Sequence, residues 1–517
     1  MDSEFQALLK NQTWSLCPPP SRQNIVRNKW VFKIKRRPNG SIERYKTRLV
    51  AKGFDQQDGI DFHETFSLVI KPPTVRMVLA LAVQFNWPIH QFDVSNAFLH
   101  GILEEDVYMT QPKGFEDVQF PHHVCKLHKS IYGLKQAPRA WFHRLSMTLF
   151  NHGFAPSQVD PSLFLYHKDT MHAFLLVYVD DIIVTTNDST FVPQLLQFLQ
   201  QDFAMKNLGS LSYFLGIEAL RDHNSLHLRQ AKYILDFLNR VKLAGVKPYR
   251  APCVSGSKLS RLDGEPLADP TEYRHTVGAL QYVTLTRSDI AYSVNQLCQH
   301  LQSPTEVHWT AAKRVLRYLK HTIDFGLFYA PGSITVNAYC DSDWVGDPDD
   351  RRSTCGNGVF LGQNLISWSA KKQPVVSKSN TEAEYRCLAL VTAKVYWLRM
   401  LLCELTISLA SPPVIWCDNI SAIQLASNPI FHARSKHIEV DYHFVREKVN
   451  NQDIVIRHLP TSLQLADIFT KGHTADRFCF LRAKQFVCYP PSSLRGGVRS
   501  NSSQISTSDD DRDKDKE

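Results

Sequence analysis

The stretch Ala173-Phe-Leu-Leu-Val-Tyr-Val-Asp-Asp-Ile-Ile-Val184 sets two adjacent acids, Asp180 and Asp181, inside a run that is otherwise apolar. Runs of β-branched and aromatic residues predict buried strands. Two carboxylates within such a strand would repel each other, and taking each one out of water would cost several kcal/mol. A hairpin with both acids at its tip removes the first difficulty, and a divalent cation bound by their oxygens removes the second. A solvated Asp-Asp turn is the alternative, and this stretch alone does not decide between the two.

A third acid favours the metal site. Asp93 lies in Ile89-His-Gln-Phe-Asp-Val-Ser-Asn-Ala-Phe98, again at the end of a short run that is typical of a strand. One acid on a strand and two on a hairpin tip can hold two metal ions roughly 4 Å apart, which stabilises both the attacking and the leaving oxygen in phosphoryl transfer. The three acids therefore indicate a phosphoryl-transfer site.

Length and composition limit the class of protein. The chain of 517 residues is long enough for two or more domains. It contains no run of about 18 apolar residues, so we expect no membrane span, and its start, Met1–Lys10, lacks the pattern of a secretory signal. Its eleven cysteines include no Cys-x-x-Cys pair, which indicates neither a disulfide framework nor a zinc site and favours thiols in a reducing compartment. The net charge of +9 permits a nucleic-acid partner without requiring one.

Local patterns outline the organisation of the chain. Two strand-like runs flank Pro38-Asn39-Gly40 and predict a basic hairpin, because Asn-Gly is a strong hairpin signal. Further along, the sequence predicts a helix from Pro72 to Val83, a helix from Gln230 to Leu243, a loop from Pro248 to Asp269 and a basic, mostly helical region from Glu272 to Lys320.

A second set of acids follows residue 333. Asp341 ends an alternating, strand-like run, Glu384 lies in the first turns of a long predicted helix, Asp418 ends a later strand, and Asp467 lies in a predicted final helix over Gln464–Phe469. Asp343 could take the place of Asp341, and Glu382 that of Glu384. We prefer Asp341 because it follows the strand directly, and Glu384 because the apolar face of the helix follows it at Leu388.

Several of these segments carry a resemblance to a known family. The stretches Gln91–Gly101 and Lys129–Phe142 and the tetrad Tyr178–Asp181 resemble the reverse transcriptase of copia-type LTR retrotransposons. Five later segments resemble the RNase H domain that follows such polymerases: Asp341–Gly346, Ser379–Tyr385, Trp416–Asn419, His432–His437 and Ala466–Lys471.

The resemblance implies a multidomain fold of the α+β and α/β classes. A right-hand polymerase with fingers, palm and thumb would be followed by a helical connection and an RNase H-like α/β domain. The expected boundaries are an irregular lead-in over 1–28, the reverse transcriptase over 29–255, a linker and helical connection over 256–333, the RNase H-like domain over 334–475, and a C-terminal extension over 476–517 that is disordered from about residue 490.

The resemblance also implies roles for individual residues. Asp93, Asp180 and Asp181 would be the catalytic metal ligands of the polymerase, and Asp341, Glu384, Asp418 and Asp467 those of the RNase H. Each site would hold two Mg²⁺ ions, with Mn²⁺ as an alternative. The residues implied to bind substrate are Arg48, Lys52, Phe98, Gln136 and Tyr178, and those implied to form the primer grip are Leu215 and Gly216.

The function implied is RNA- and DNA-directed DNA synthesis coupled to RNase H cleavage of RNA in a hybrid. The partners would be an RNA template, a DNA primer, the RNA·DNA hybrid and deoxynucleoside triphosphates (dNTPs), with no membrane. Such a protein would act in the cytoplasm, in a virus-like particle if its element is active, or in the nucleus, and would not be secreted. Two alternatives stay open: a decayed or domesticated remnant that only binds nucleic acid, and an active RNase H beside an inactive polymerase. We expect the chain to be a processed fragment or a truncated reading frame.

Overall fold

The computed structural model describes residues 1–21, 23–36, 41–67, 69–243, 245–427 and 439–491. Three sequence predictions lie outside this range. They concern the turn at Pro38–Gly40, the segment His432–His437 that resembles part of an RNase H domain, and nearly all of the tail expected to be disordered from about residue 490. Within the described part of the chain, none of the helices combines the length and the apolar character that crossing a bilayer requires.

Residues 1–210 fold into two sheets and a hairpin. In chain order their helices and strands are α1 (Asp2–Lys10), β1 (Trp14–Cys17), β2 (Ile25–Val26), β3 (Asn28–Arg36), β4 (Ile42–Ala51), α2 (Pro72–Gln84), β5 (Ile89–Val94), β6 (Ile102–Met109), β7 (Val124–Lys129), α3 (Ala137–Asn151), β8 (Ala155–Pro156), β9 (Leu163–Lys168), β10 (Met171–Tyr178), β11 (Asp181–Thr186), α4 (Phe191–Asp202) and β12 (Met205–Ser210). One sheet has the order β1-β7-β6-β2, and a central sheet has the order β12-β5-β11-β10-β9-β8. β3 pairs with β4 as the predicted hairpin.

The prediction of an irregular lead-in over residues 1–28 is wrong. Residues 2–10 form α1, whose first turn carries Asp2 and Glu4, where the helix dipole favours acids. Leu8 is buried in the core beneath β4, and Trp14 of β1 pairs with Leu127 of β7. Both partners lie outside residues 1–28, and Leu127 is more than a hundred residues from Trp14, so a local reading of this segment could not reveal them.

Helices cover both faces of the central sheet. Side chains alternate along a strand, so Phe174 and Leu176 of β10 join the core beneath α2, whereas Leu175 and Val177 join the core beneath α3 and α4. The helix α2 begins at Pro72, as predicted, with proline in the first turn, where its missing N–H costs nothing.

Residues 211–329 contribute four strands of a third sheet and a cluster of helices. Their elements are β13 (Tyr213–Phe214), β14 (Ile217–Arg221), β15 (Leu226–Arg229), α5 (Ala231–Arg240), α6 (Thr271–Val283), α7 (Ala291–Cys298), α8 (Glu306–His321) and β16 (Gly326–Tyr329). These bounds confirm the helices that were predicted near Gln230–Leu243 and within Glu272–Lys320. The four strands pair in chain order, and α5 to α8 share a separate apolar core.

Residues 336–488 form the second α/β unit and then return to the third sheet. Their elements are β17 (Val336–Asp343), β18 (Thr354–Leu361), β19 (Asn364–Lys372), α9 (Asn380–Glu404), β20 (Val414–Cys417), α10 (Ile420–Ser427), α11 (Glu439–Asn450), β21 (Val455–His458), α12 (Ala475–Lys484) and β22 (Val487–Cys488). The sheet has the order β19-β18-β17-β20-β21, antiparallel through its first three strands and parallel from β17 to β21. This mixed sheet with α9 packed on it is the RNase H-like layout that the sequence predicted.

Two predictions near the C-terminal end need correction. The predicted helix over Gln464–Phe469 is only a short 3-10 helix, Leu465–Phe469, and the α-helix comes later as α12. Residues 475–488 are not an appended extension, because Phe478 and Leu481 pack among α5 to α8 and Cys488 pairs with Gly326 of β16. The partners of α12 and β22 therefore lie in the helical connection, far away in the sequence.

The central sheet and the RNase H-like sheet meet at Arg76 of α2. The guanidinium donates to the carbonyl of Ile366 at 2.6 Å and to that of Leu285 at 3.0 Å, and it stacks 3.8 Å above the ring of Trp368. Ile366 is the extra residue of a bulge in β19, so its carbonyl is not used by the β18–β19 ladder. One apolar core runs through this junction, from α2 to α9.

Candidate functional site

The three acids of the first set lie at one end of the central sheet. β10 and β11 form a hairpin in which Tyr178 pairs with Asp181, and the two-residue turn between them contains Val179 and Asp180. Asp93 of β5 is the direct cross-strand partner of Asp181. The structure therefore brings the three acids together at the predicted hairpin tip.

The charges of these acids are not balanced by protein groups. Within the described residues, none of the three forms an ion pair with Lys, Arg or His, and their carboxylate oxygens do not all lie within 4.8 Å of one another. Burial raises the pKa of Asp181, Gln91 opposes this by donating a hydrogen bond at 3.2 Å, and the negative charges of Asp180 and Asp93 raise it further. Such a set of carboxylate donors fits a divalent cation, which would supply the missing positive charge.

An aromatic and cationic stack borders this acid cluster. The guanidinium of Arg48 lies 4.0 Å from the centre of the Tyr132 ring, and the Phe98 ring meets Tyr132 edge-on at 5.3 Å. Burial raises the pKa of Tyr132 to about 12; Arg48 opposes this rise, and Asp180 and Asp93 add to it. The stack is thus close enough to the acids to interact with them electrostatically.

Two backbone features position the stack. Gly133 has φ +92, and a Cβ there would lie 2.1 Å from the carbonyl oxygen of Ala51. Only glycine therefore allows the carbonyl of Tyr132 to accept a hydrogen bond from the backbone N–H of Ala51 in β4. After β5, Asn96 adopts a left-handed conformation with φ 56 and turns the chain into a short 3-10 helix, Ala97–His100, which carries Phe98. Tyr132 was not among the predicted site residues, although it lies within the family-like stretch Lys129–Phe142.

Two of the predicted substrate residues lie next to other polar groups of the protein. Gln136 is almost completely buried; its amide donates to the carbonyl of Asp61 at 2.8 Å and accepts from Gln56 at 2.9 Å, so its polar groups are turned to these protein partners. Lys52 lies near Asp55, whose pKa is held at about 2 mainly by a hydrogen bond from Arg27 and to a smaller extent by Lys52.

The predicted primer grip lies beside the catalytic hairpin. Leu215 (φ 48) and Gly216 (φ 67) form a tight two-residue turn between β13 and β14, as in type I′ hairpins. The hydroxyl of Tyr282 donates to the carbonyl of Leu215 and fixes the turn. The ring of Tyr178 meets Phe214 edge-on at 6.4 Å, which links the turn to the acid-bearing hairpin.

The four acids of the second set also come together. Asp341 lies in β17, Glu384 in the second turn of α9, Asp418 directly after β20, and Asp467 in the 3-10 helix. The backbone N–H of Ser342 donates to Glu384 at 3.2 Å, and Lys471 Nζ lies 2.7 Å from Asp467 and 3.5 Å from Asp341. Oxygens of Glu384 and Asp418 and the sulfur of Cys417 all lie within 4.8 Å of one another.

The two alternative acids have other partners. Asp343 lies 3.7 Å from Lys258 Nζ. Glu382 forms an ion pair with Arg386 at 3.0 Å and accepts from the backbone N–H of Lys378 at 2.9 Å, so it stabilises the start of α9. Asp341 and Glu384 therefore remain the predicted members of the cluster.

Burial dominates the electrostatics of this second cluster. It raises the pKa of Asp341 and of Glu384, and neighbouring acids add to both rises. Glu384 is 4% exposed, and its buried Oε2 has no hydrogen-bond partner. An orphaned carboxylate oxygen among three further acids fits a Mg²⁺ or Mn²⁺ site.

Sequence reasoning missed the cationic groups of this cluster. Burial alone would lower the pKa of Lys471, but Asp341 and Asp467 outweigh it and hold the pKa above its ordinary value. Arg477 lies 3.5 Å from Asp467, and the hydroxyl of Thr470 donates to Asp341. Thr470 and Lys471 lie in Ala466–Lys471, one of the segments that resemble the RNase H domain. This resemblance is the sequence signal that could have identified them.

Comparison with known proteins gives the following findings. A family model described as "Reverse transcriptase (RNA-dependent DNA polymerase)" matches residues 11–255. The chain is 49% identical over 495 residues to the retrovirus-related Pol polyprotein from transposon RE1 of Arabidopsis thaliana, covering 95% of this chain and 34% of that protein. It is 32% identical over 297 residues to a putative transposon Ty5-1 protein of Saccharomyces cerevisiae, covering 57% of this chain and 96% of that protein.

The chain spans about a third of the length of the first of these relatives. Among solved structures, the RNase H1 named LC11, isolated from compost, matches 26% of this chain and 93% of its own with 14% identity and a TM-score of 0.22. That score is too low to carry an argument, so the fold assignment above depends on strand order and direction.

Proposed function

We propose a function for each site from one premise: the chain belongs to the reverse transcriptase family of copia-type retrotransposon Pol polyproteins. The protein is an RNA- and DNA-directed DNA polymerase that also cleaves the RNA strand of an RNA·DNA hybrid. The observation that carries this proposal is the placement of Asp93 opposite Asp181 at the tip of the β10–β11 hairpin, without a cationic partner among the described residues.

In this proposal, the parts of a right-hand polymerase are assigned to the sheets and helices as follows. The central sheet with α2, α3 and α4 is the palm, because it carries the three acids. The β3–β4 hairpin and the β1-β7-β6-β2 sheet are the fingers, α5 begins the thumb, and α6 to α8 are the connection. This assignment is supported by Arg48, which reaches from the hairpin over Tyr132 toward the palm acids.

In the polymerase site, Asp93, Asp180 and Asp181 would hold two Mg²⁺ ions, which activate the primer 3′-hydroxyl and neutralise charge on the triphosphate. Arg48 binds the triphosphate of the incoming dNTP, because its guanidinium stacks on Tyr132, which is itself within electrostatic reach of Asp180 and Asp93. Phe98 forms the floor beneath the sugar. Leu215 and Gly216 hold the primer end, and Lys52, at the base of the hairpin, contacts the template or the triphosphate. Gln136 is excluded from this pocket by its burial.

In the RNase H site, Asp341, Glu384, Asp418 and Asp467 would hold two Mg²⁺ ions that activate water against the RNA phosphodiester. Lys471 forms ion pairs with Asp341 and Asp467 and would position these two carboxylates for metal binding. The hybrid is recognised by its shape and by its 2′-hydroxyls.

Primer extension tests the polymerase proposal. Purified protein with Mg²⁺, dTTP and poly(rA)·oligo(dT) should extend the primer, and Asp181→Asn should abolish extension. The matched control is Asp188→Asn, an exposed acid just beyond β11 whose carboxylate only caps a turn by bonding to Thr190. Absence of extension at every enzyme concentration would favour a remnant that binds nucleic acid without catalysis.

A further inference from the structure

The RNase H-like sheet buries four thiols directly beneath the second acid cluster. Cys340 precedes Asp341, Cys417 precedes Asp418, Cys387 lies one helical turn after Glu384, and Cys355 lies on the neighbouring strand β18; all four are buried. In the sequence these cysteines are scattered, with no spacing that indicates a metal site. The fold brings them into one layer because β17, β18, β20 and α9 meet there.

Of these four thiols, Cys417 is the one that forms a close group with two carboxylates. Cys387 Sγ points to the carbonyl of Asp341 at 3.2 Å, and Cys340 Sγ points to that of Trp416 at 3.6 Å. Cys417 Sγ, in contrast, lies within 4.8 Å of carboxylate oxygens of both Glu384 and Asp418, and in the described part of the chain this is the one group of three metal-ligating side chains so close together. Its nearest carbonyl contact, to Asn419, is long at 3.9 Å.

A second observation points to a ligand at the same place. Glu384 is buried and its Oε2 has no hydrogen-bond partner. Ligand atoms around a tetrahedral Zn²⁺ are about 3.6 Å apart, given Zn–S near 2.3 Å and Zn–O near 2.1 Å. The three donor atoms lie within 4.8 Å of one another, so their separations exceed those of bound ligands by no more than about an ångström. Together they would supply three ligands, and water could take the fourth position.

We propose that Cys417, Glu384 and Asp418 form a site for a thiophilic divalent cation such as Zn²⁺ or Cd²⁺, and that this cation inhibits RNA cleavage by occupying the carboxylates needed for Mg²⁺. Thiolate sulfur selects borderline and soft ions, whereas Mg²⁺ prefers oxygen and leaves the sulfur unused. Binding forms a sulfur–metal bond and releases the thiol proton to solvent. The acids of the polymerase site have no thiol in such a group among the described residues, so DNA synthesis is spared.

The inhibitory part of this proposal rests on the proposed RNase H function, whereas the binding part does not. Binding is measured on the full chain without Mg²⁺, by titrating Cd²⁺ and recording the ultraviolet charge-transfer band of thiolate-bound Cd²⁺. Cys417→Ser should remove one equivalent of this absorption and Glu384→Gln should weaken the same equivalent at least tenfold. Cys387→Ala, which removes an equally buried thiol outside the group, should leave it unchanged.

Inhibition is measured as cleavage of a labelled RNA·DNA hybrid in Mg²⁺ with increasing Cd²⁺, relative to the Mg²⁺-only rate of each variant. Cys417→Ser should raise the Cd²⁺ concentration for half-inhibition at least tenfold, while the Cd²⁺ sensitivity of primer extension stays the same. An unchanged absorption or an unchanged half-inhibition in folded Cys417→Ser would overturn the proposal. If wild-type protein shows the Cys417-dependent band but cleaves no hybrid at all, the cation site stands and the proposed RNase H function fails.

Discussion

Replacing Arg287 by methionine should destabilise the helical connection more than any surface charge change. Arg287 is completely buried, and its guanidinium donates to both carboxylate oxygens of Asp289, at 3.0 and 2.7 Å, and to the carbonyl and hydroxyl of Thr322, at 2.8 and 2.7 Å. Tyr318 donates to the same carboxylate. Methionine fills much of the space but leaves the carboxylate buried without its cation, which typically costs about 3–5 kcal/mol.

Hydrogen exchange of the amides in α8 measures this cost locally. A loss of about 3–5 kcal/mol should increase their exchange by roughly a hundred- to several-thousand-fold, since each 1.4 kcal/mol is a factor of ten. Arg144→Met is the matched control, because Arg144 pairs with Asp202 at a similar 2.9 Å but on the surface, where such pairs contribute at most about 1 kcal/mol. Equal protection of α8 in Arg287→Met and wild type would refute the reasoning.

The pH dependence of the same variant follows from Asp289. Burial would raise the pKa of Asp289, but Arg287 and Tyr318 outweigh it and hold the pKa below its ordinary value. A carboxyl with a lowered folded-state pKa stabilises the fold above its unfolded pKa near 3.9, and this stability is lost as the pH falls through the folded pKa. In Arg287→Met the carboxyl, buried without its cation, can take up a proton instead, so the difference from wild type should shrink progressively as the solution is acidified.

Four further predictions follow from the sites and the cores. Asp181→Asn should abolish DNA synthesis while hybrid cleavage persists, and Asp418→Asn should do the converse; loss of both activities from one substitution in folded protein would contradict two separate sites. Phe98→Val should lower the ratio of kcat/KM for a dNTP over its ribonucleotide about tenfold, roughly 1.4 kcal/mol, because the ring no longer excludes the 2′-hydroxyl; an unchanged ratio with lower stability would make Phe98 a core residue only. Hybrid affinity should fall linearly on a log–log plot against salt as basic side chains release counterions, and a flat plot would exclude this mode of binding. Burial lowers the pKa of His227 to about 4, so its contribution to stability is complete above about pH 6.5 and is lost as the pH falls toward 4, by up to roughly 3 kcal/mol; urea unfolding of His227→Phe at several pH values should show a correspondingly smaller acid loss, and an identical loss would assign it to other groups.

The catalytic hairpin could be predicted because its signals are local. The apolar run around Asp180 and Asp181 spans only the hairpin itself, and each strand alternates between two helix-covered faces. The approach of Asp93 was suggested by its place at the end of a strand-like run and supported by the family resemblance, but its pairing with Asp181 joins residues that are far apart in sequence. The choice of Asp341 and Glu384 over Asp343 and Glu382 followed the same strand and helix patterns.

What could not be predicted depends on distant partners. Gln136 lies within a family-like motif, but its burial is decided by Gln56 and Asp61, which no local pattern links to it. The helix α1 is stabilised by contact with β4, and the strand β22 by pairing with β16. Cys417 gave no signal because Glu384 reaches it and its sequence neighbour Asp418 only through packing of α9 against β20.

The junction at Arg76 would set a fixed distance between the proposed polymerase and RNase H sites. Helix α2 supports the polymerase acids through the central sheet, and the same helix grips the bulge of β19 in the sheet that bears Asp341. A continuous core, rather than a flexible tether, therefore joins the two catalytic centres. A hybrid bound to both sites would be cut at a constant number of base pairs behind the growing 3′ end. The lengths of the RNA products formed during synthesis would therefore report the distance between the two sites.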